Sequence, residues 1–266
     1  MKVSTCSYRP ILVPCDLGLQ NIDYQVDPYV GCEHYCKYCY ALNQAETDWT
    51  KEVLIYMDIA GQLNGELEKI SPQTIYMGYY TDPYQPCEAE YRQTRKVLEL
   101  FLEKGFSVNI LTKSNLVVRD MDVLQEIVDA SVSVSVAFND NRIRQQFEAN
   151  TIDTEDRIRA LRKLREAGVK TSALICPVIP YITDVTLLID KLALHTDAIW
   201  IYSLSIEKSS DRNCQNFQGI LKAHFPDLKE RIEEVIFSKD HPYWVKLRQD
   251  LQNMQRARQL NLRIHF

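Results

Sequence analysis

Three cysteines fall within one short segment, Gly31-Cys-Glu-His-Tyr-Cys-Lys-Tyr-Cys-Tyr-Ala, with the spacing C-x3-C-x2-C. Thiolates at Cys32, Cys36 and Cys39 can wrap three corners of one polynuclear cluster. Iron–sulfur clusters are normally held by four cysteines, so a three-cysteine loop leaves one iron open to an exogenous ligand. The competing ligand set is zinc, with His34 or a distant residue completing a tetrahedron. His34 lies between two of the cysteines, whereas structural zinc sites use two separated ligand pairs, and the spacing therefore favours iron and sulfur. Three unmetallated thiols this close together would oxidise.

The remaining cysteines, Cys6, Cys15, Cys87, Cys176 and Cys214, are scattered. The N-terminus MKVSTCSYRP has no apolar signal-peptide core, and no stretch approaches the roughly 18 apolar residues of a membrane span. A cytoplasmic, membrane-free protein with reduced thiols is expected. Hydrophobic residues at 45% and charged residues at 25% are those of a globular chain. The net charge of −5 argues against strong non-specific binding to phosphates but leaves room for a local basic face.

To bring the cysteines to a substrate the chain needs a scaffold, and beyond residue 50 it alternates β-branched runs with amphipathic stretches. That pattern predicts a parallel sheet of βα units. About six strands are expected, at Tyr24–Val30, Thr74–Tyr79, Ser107–Leu111, Ser131–Phe138, Lys170–Cys176 and Ala198–Ser203. Helices are expected at Ile59–Ile70, Glu88–Lys104, Met121–Val128, Thr154–Ala167 and Thr183–His195. Asp153 or Thr154 caps the fourth of these and Gly168 takes the left-handed position after it. Its Arg157, Arg159, Arg162, Lys163 and Arg165 read as a solvated face. In Ser131–Phe138 the valines 132, 134 and 136 face one side and the serines the other, which fits Ser135 lining the cavity of an open barrel, the alternative being an edge strand whose serines face solvent.

Residues 1–23 read as an N-terminal extension, 24–208 as the barrel and 209–266 as a helical C-terminal extension, with helices near Phe217–His224, Leu228–Phe237 and Tyr243–Leu260.

The triad CEHYCKYCY resembles that of the radical S-adenosylmethionine (SAM) superfamily, including the aromatic Tyr38 between the second and third cysteines. More narrowly, DPYVGCEHYCKYCYA, GYYTDPYQPCE, LTKSNLVVRD and ALICPVIP look like successive blocks of the spore photoproduct lyase-like group, over about residues 24 to 205. The resemblance implies an α/β fold, a partial TIM barrel of about six βα units. It implies a four-iron four-sulfur cluster on Cys32, Cys36 and Cys39, whose open iron binds SAM, and reductive cleavage of SAM to methionine and a 5′-deoxyadenosyl radical. An external one-electron reductant of the flavodoxin or ferredoxin kind is then required.

By the same resemblance Gly78, Thr81 and Asp82 touch the amino-acid end of SAM, Lys113 meets its carboxylate, and Pro177 belongs to the block that lines the adenine. The lyase's hydrogen-donor cysteine falls on Tyr79 here; Cys87, or Tyr40 with Tyr80, are the candidates for that role.

Two substrate classes follow, a nucleic acid or nucleotide on the one hand and a peptide or small metabolite on the other. A non-catalytic zinc or cluster module is the third reading. Lys246, Arg248, Arg256, Arg258 and Arg263, with Tyr243 and Trp244 as stacking rings, make a candidate nucleic-acid groove. Against that groove, Trp244, Leu247 and Leu251 lie at the spacing of a packing stripe.

Overall fold

The computed structural model describes residues 1–15, 22–238 and 240–266. Its strands are β1 (Lys2–Thr5), β2 (Leu12–Pro14), β3 (Tyr24–Val26), β4 (Tyr29–Val30), β5 (Glu52–Ile55), β6 (Thr74–Met77), β7 (Ser107–Thr112), β8 (Ser131–Ser135), β9 (Lys170–Val178), β10 (Ala198–Ser203) and β11 (Leu262–His265). The helices are α1 (Ile59–Leu67), α2 (Glu88–Tyr91), α3 (Gln93–Lys104), α4 (Met121–Glu126), α5 (Asn141–Phe147), α6 (Thr154–Glu166), α7 (Val185–Leu192), α8 (Arg212–His224), α9 (Lys229–Ile236) and α10 (Pro242–Arg258). No helix among the described residues is long and apolar enough to cross a membrane.

The main sheet runs β11-β10-β9-β8-β7-β6-β3-β2, parallel throughout except for β2 at one edge. This is the expected partial barrel. Its outer face carries Val26, Ile75, Val108, Ile110, Val132, Val134, Ala173, Ile175, Ile199 and Ile201, all at most 2% exposed and packed under the helices. Side chains alternate across a strand, so the intervening residues face the barrel interior.

Several elements depart from expectation. The Tyr24–Val30 strand is broken: Tyr24–Val26 joins the barrel, while Tyr29–Val30 pairs with β5 in a separate three-stranded sheet. Pro28 has no N–H for a ladder, and Asp27 turns its carboxylate to the N–H groups of Tyr80 and Thr81 at 3.0 and 2.8 Å. The helix expected over Glu88–Lys104 is likewise broken, at Arg92 (φ +50°), and the Glu88 carboxylate accepts from the N–H of Thr94 at the start of the second piece.

The C-terminal extension is not wholly helical. Leu262–His265 adds a seventh parallel strand, too short to show a period in the sequence. Arg157, read as a surface residue, is 1% exposed. It sits in the first turn of α6, the one place on that helix where a long side chain reaches under the ends of β8 and α5 rather than into solvent, and it donates to Ser135 O at 2.9 Å. Trp244 is also buried: its indole N–H bonds to Val235 O at 3.0 Å and its ring packs on Phe266, so it is unavailable for stacking on a base. Tyr243 packs on Tyr181, Arg258 pairs with Asp190, and Arg248 lies over Phe266, which dismantles the proposed helical groove.

Candidate active site

The cysteine loop begins at Gly31, where φ is +91° and a Cβ would stand 2.7 Å from Thr47 Oγ1. From there the loop is tied down from several sides. Gln85 donates to Gly31 O at 3.1 Å and accepts from Glu33 N at 2.8 Å, and Asn150 donates to Glu33 O at 2.9 Å. Lys37 N bonds to Phe147 O, and Asn213, at the start of α8, donates to Tyr38 O at 3.3 Å. The C-terminal segment is thus a brace for the loop.

Cys32 and Cys36 are buried and Cys39 is partly buried, and all three thiols are free. Burial pushes all three up, Cys32 to about 12, and the neighbouring thiols raise one another further at Cys32 and Cys36. Buried thiols of this kind become ligands when a metal's positive charge offsets the cost of ionising them. Among the described residues no three His, Cys, Asp or Glu side chains converge as they would on a single ion. His34 does not complete a zinc tetrahedron; its Nδ1 stands 3.2 Å from Asp82 Oδ2. The donor set fits a cluster that takes three thiolates at its corners.

Just after β6, Gly78 has φ +98°, and a Cβ there would fall 2.4 Å from Leu111 O on the neighbouring strand. Gly78→Ala is expected to lower stability by about 1–3 kcal/mol from the positive φ alone, with the clash added, and thermal denaturation checks it. The carboxylate of Asp82 is fully engaged: it accepts from Thr112 Oγ1 (2.7 Å), Lys113 N (2.7 Å) and Tyr84 N (2.9 Å). Burial alone would raise its pKa, but His34 and these hydrogen bonds bring it down to about 2. Asp82 therefore locks the turn to the end of β7 with its own side chain. Asp27 holds the same turn from the other side, and its carboxyl is pushed up to about 6 by burial against those hydrogen bonds.

Lys113 and Ser135 come together inside the barrel, Lys113 Nζ donating to Ser135 Oγ at 3.1 Å, with the ammonium 5.9 Å from the Tyr38 ring centre. Ser135 Oγ in turn donates to Cys176 O at 3.3 Å, which ties β8 to the Cys176-Pro177 end of β9, where Pro177 is buried. Beneath them lies a buried ionic group that the sequence did not reveal. Glu148 (0% exposed) accepts from the Tyr38 hydroxyl and from Arg157 Nη2 at 2.5 Å.

The candidate hydrogen donors separate. The Tyr40 hydroxyl donates to Tyr79 O at 2.5 Å, and the rings of Tyr40, Tyr79 and Tyr80 are contiguous beside Cys32, at 5.3 and 4.6 Å between centres. Cys87 packs instead with Tyr29, Val53 and Tyr91, its thiol raised by burial and by Glu33.

Comparison with known proteins agrees with this geometry. An uncharacterized protein of Methanocaldococcus jannaschii is 29% identical over 213 residues, covering 79% of each chain. One from Mycobacterium bovis is 32% identical over 173 residues, 60% of this chain and 51% of the relative, so the chain spans about half of that relative's length. Among solved structures, a spore photoproduct lyase variant with bound AdoMet and dinucleoside spore photoproduct superposes with a TM-score of 0.64 at 15% identity, over 84% of this chain and 65% of that one. Streptococcus suis SuiB bound to the precursor peptide SuiA gives 0.59 at 13% identity, over 91% of this chain and 47% of that one. These structures share the fold. The sequence model of the radical SAM superfamily matches residues 26–191, from the cysteine loop through the strands β6 to β9 that face it. The chain therefore belongs to the radical SAM superfamily and is an enzyme that works with a four-iron four-sulfur cluster and SAM.

Proposed function

We propose that this enzyme acts on a nucleic acid or nucleotide. The observation that carries the reading is the charge of the barrel interior. Acidic residues outnumber basic ones in the chain, 36 to 31, yet among the described residues no inward strand position holds a carboxylate. The inward positions do hold Lys170 and Arg263, and Lys113 follows at the end of β7. Lys170 is taken by Asp129 at 2.5 Å, which leaves Lys113 and Arg263 as the cations of that face. A lumen whose strand positions carry no carboxylate, with the buried Glu148 beneath it paired to Arg157, and with aromatic walls, suits an anionic substrate bearing flat rings. The likeness to a lyase structure holding a dinucleoside spore photoproduct supports the same reading.

The cluster, reduced by an external one-electron donor, supplies homolytic cleavage of SAM, and the chain's own residues bind and aim it. Cys32, Cys36 and Cys39 are the thiols that would hold the cluster. Lys113, kept in place by Ser135, offers its remaining N–H groups to the SAM carboxylate. The Gly78–Thr81 backbone, fixed by Asp82 and Asp27, borders the amino-acid end, and Tyr38 and Pro177 close the apolar sides. Tyr40 and Tyr80 stand beside the cluster loop as the hydrogen relay, ahead of the more secluded Cys87.

The competing reading is a peptide substrate, favoured by the likeness to SuiB with its precursor peptide. Titration of the reconstituted enzyme with labelled single- and double-stranded DNA separates the two. Binding that weakens steeply between low and moderate salt is expected. Undetectable binding at low salt, where phosphate attraction is strongest, removes the nucleic-acid reading.

A further inference from the structure

We infer that Trp200, Tyr202 and His265 form a stacking platform for an unpaired base inside the barrel, with Gln25 opposite to read the edge of the ring. The inference rests on the nucleic-acid reading and names the part of the lumen that would hold the base. Trp200 and Tyr202 are alternate residues of β10, and His265 is the cross-strand partner of Tyr202 on β11. Their rings lie within 14° of parallel, with centres 4.6 Å apart for Tyr202–His265, 5.4 Å for Trp200–His265 and 6.4 Å for Trp200–Tyr202. The neighbouring residues Ile199 and Ile201 are buried under the helices, so the aromatic set faces inward.

Trp200 and Tyr202 are partly exposed and His265 is exposed, although the chain's other two tryptophans, Trp49 and Trp244, are 3% and 6% exposed. Three parallel rings left open to solvent on a concave face are more than a core requires.

The platform is placed for the chemistry. Trp200 pairs in register with Leu174, which pairs with Ser135, the residue that holds Lys113. With neighbouring strands about 4.8 Å apart, the platform stands about 10 Å from Ser135, roughly the span of one nucleotide. Arg263 sits beside Trp200 on β11, where a phosphate next to the stacked base would lie.

A second observation comes from the opposite wall. Gln25 is 2% exposed and faces inward, paired in register with Tyr76, yet its Oε1 has no hydrogen-bond partner among the described residues. A buried amide oxygen without a donor costs free energy unless a ligand satisfies it, and the N–H groups on the edge of a base are donors of the right kind. Gln25 on β3 and the rings on β10 and β11 are separated by the four strands β9, β8, β7 and β6, so the curved sheet sets them on facing walls.

The test uses the reconstituted enzyme with SAM under anaerobic conditions and four probes: a thymine 12-mer, the same backbone with abasic sites, the matching duplex, and thymidine monophosphate. Base–aromatic stacking predicts that the abasic strand binds about five- to 150-fold more weakly than the thymine strand. That gap is expected to shrink in Trp200→Ala and in the exposed His265→Ala. Independently of any variant, the thymine strand is expected to quench tryptophan emission more than the abasic strand at equal occupancy, because Trp200 is the accessible tryptophan. Quenching by thymidine monophosphate alone would assign the platform to a free nucleotide, and quenching by the strand alone to a polymer. Equal binding of thymine and abasic strands, with no quenching by any probe, overturns the platform while leaving nucleic-acid binding intact. No binding of any probe at low salt overturns both.

Discussion

Alanine at Cys32, Cys36 or Cys39 is expected to abolish both the cluster and the cleavage of SAM. Cys32 and Cys36 are buried and Cys39 partly buried on a loop whose backbone is fixed by Gln85, Asn150, Phe147 and Asn213, so the chain has little freedom to bring a substitute ligand to a vacated corner. Iron and sulfide analysis, the charge-transfer absorbance after anaerobic reconstitution, and release of 5′-deoxyadenosine measure the effect. Alanine at Cys214, which is buried on α8, is the control and should retain iron. A Cys32, Cys36 or Cys39 variant with full cluster content would show the ligand set to be wrong. Loss in the Cys214 variant would instead indicate damage to the brace.

The second large effect is expected at Glu148. Glu148→Ala leaves Arg157 buried without its counter-charge and removes the acceptor of the Tyr38 hydroxyl. Breaking a buried ion pair from one side costs about 3–5 kcal/mol. Arg157→Leu should cost a similar amount, and the double substitution less than the sum, since no lone charge then remains; denaturant unfolding of the four proteins gives the coupling.

The pair also imposes a pH dependence. Burial opposes ionisation of Glu148, but the charges of Arg157 and Lys113 and the hydrogen bonds from Tyr38 and Arg157 win, so its carboxyl sits below the usual glutamate value. A carboxyl with a depressed folded pKa contributes its stability fully above the unfolded value of about 4.3 and loses it as the pH falls below that. Unfolding free energies measured on either side of pH 4 should therefore fall on the acid side, and the Glu148→Ala enzyme, lacking the group, should lose less.

What could be read without the structure was local. The cysteine spacing fixes how many thiolates can reach one cluster, because eight residues of chain cannot separate them widely. The alternation that begins at Ser131 and the apolar stripes of the helices fix which faces turn inward, because periods of 2 and 3.6 residues are imposed by backbone geometry. Four of the six expected strands begin and end within about two residues of their observed limits, and Ala198–Ser203 coincides. The strand breaks at Asp27-Pro28, where Asp27 turns its carboxylate to the backbone donors of Tyr80 and Thr81, and the helix breaks at Arg92, where Glu88 accepts from the N–H of Thr94; no periodicity records either.

Tertiary structure decided the rest, and it did so mostly for polar residues. A run such as Arg157–Arg165 has the composition of a solvated helix, and only the position of Glu148, nine residues earlier on another element, makes Arg157 a buried partner. Asp82 looked like a ligand contact until Thr112, the backbone of Lys113 and Tyr84 were seen to occupy its oxygens. Trp244 and Trp200 are equally aromatic in the sequence. Packing of α10 on Phe266 buries the first, while the parallel register of β10 with β11 leaves the second on an open inner face. The sequence by itself determined which atoms could do the chemistry. Which of them are spent holding the fold, and which remain for a ligand, depended on contacts between residues far apart in the chain, because hydrogen-bond partners and burial are set by those contacts and not by local pattern.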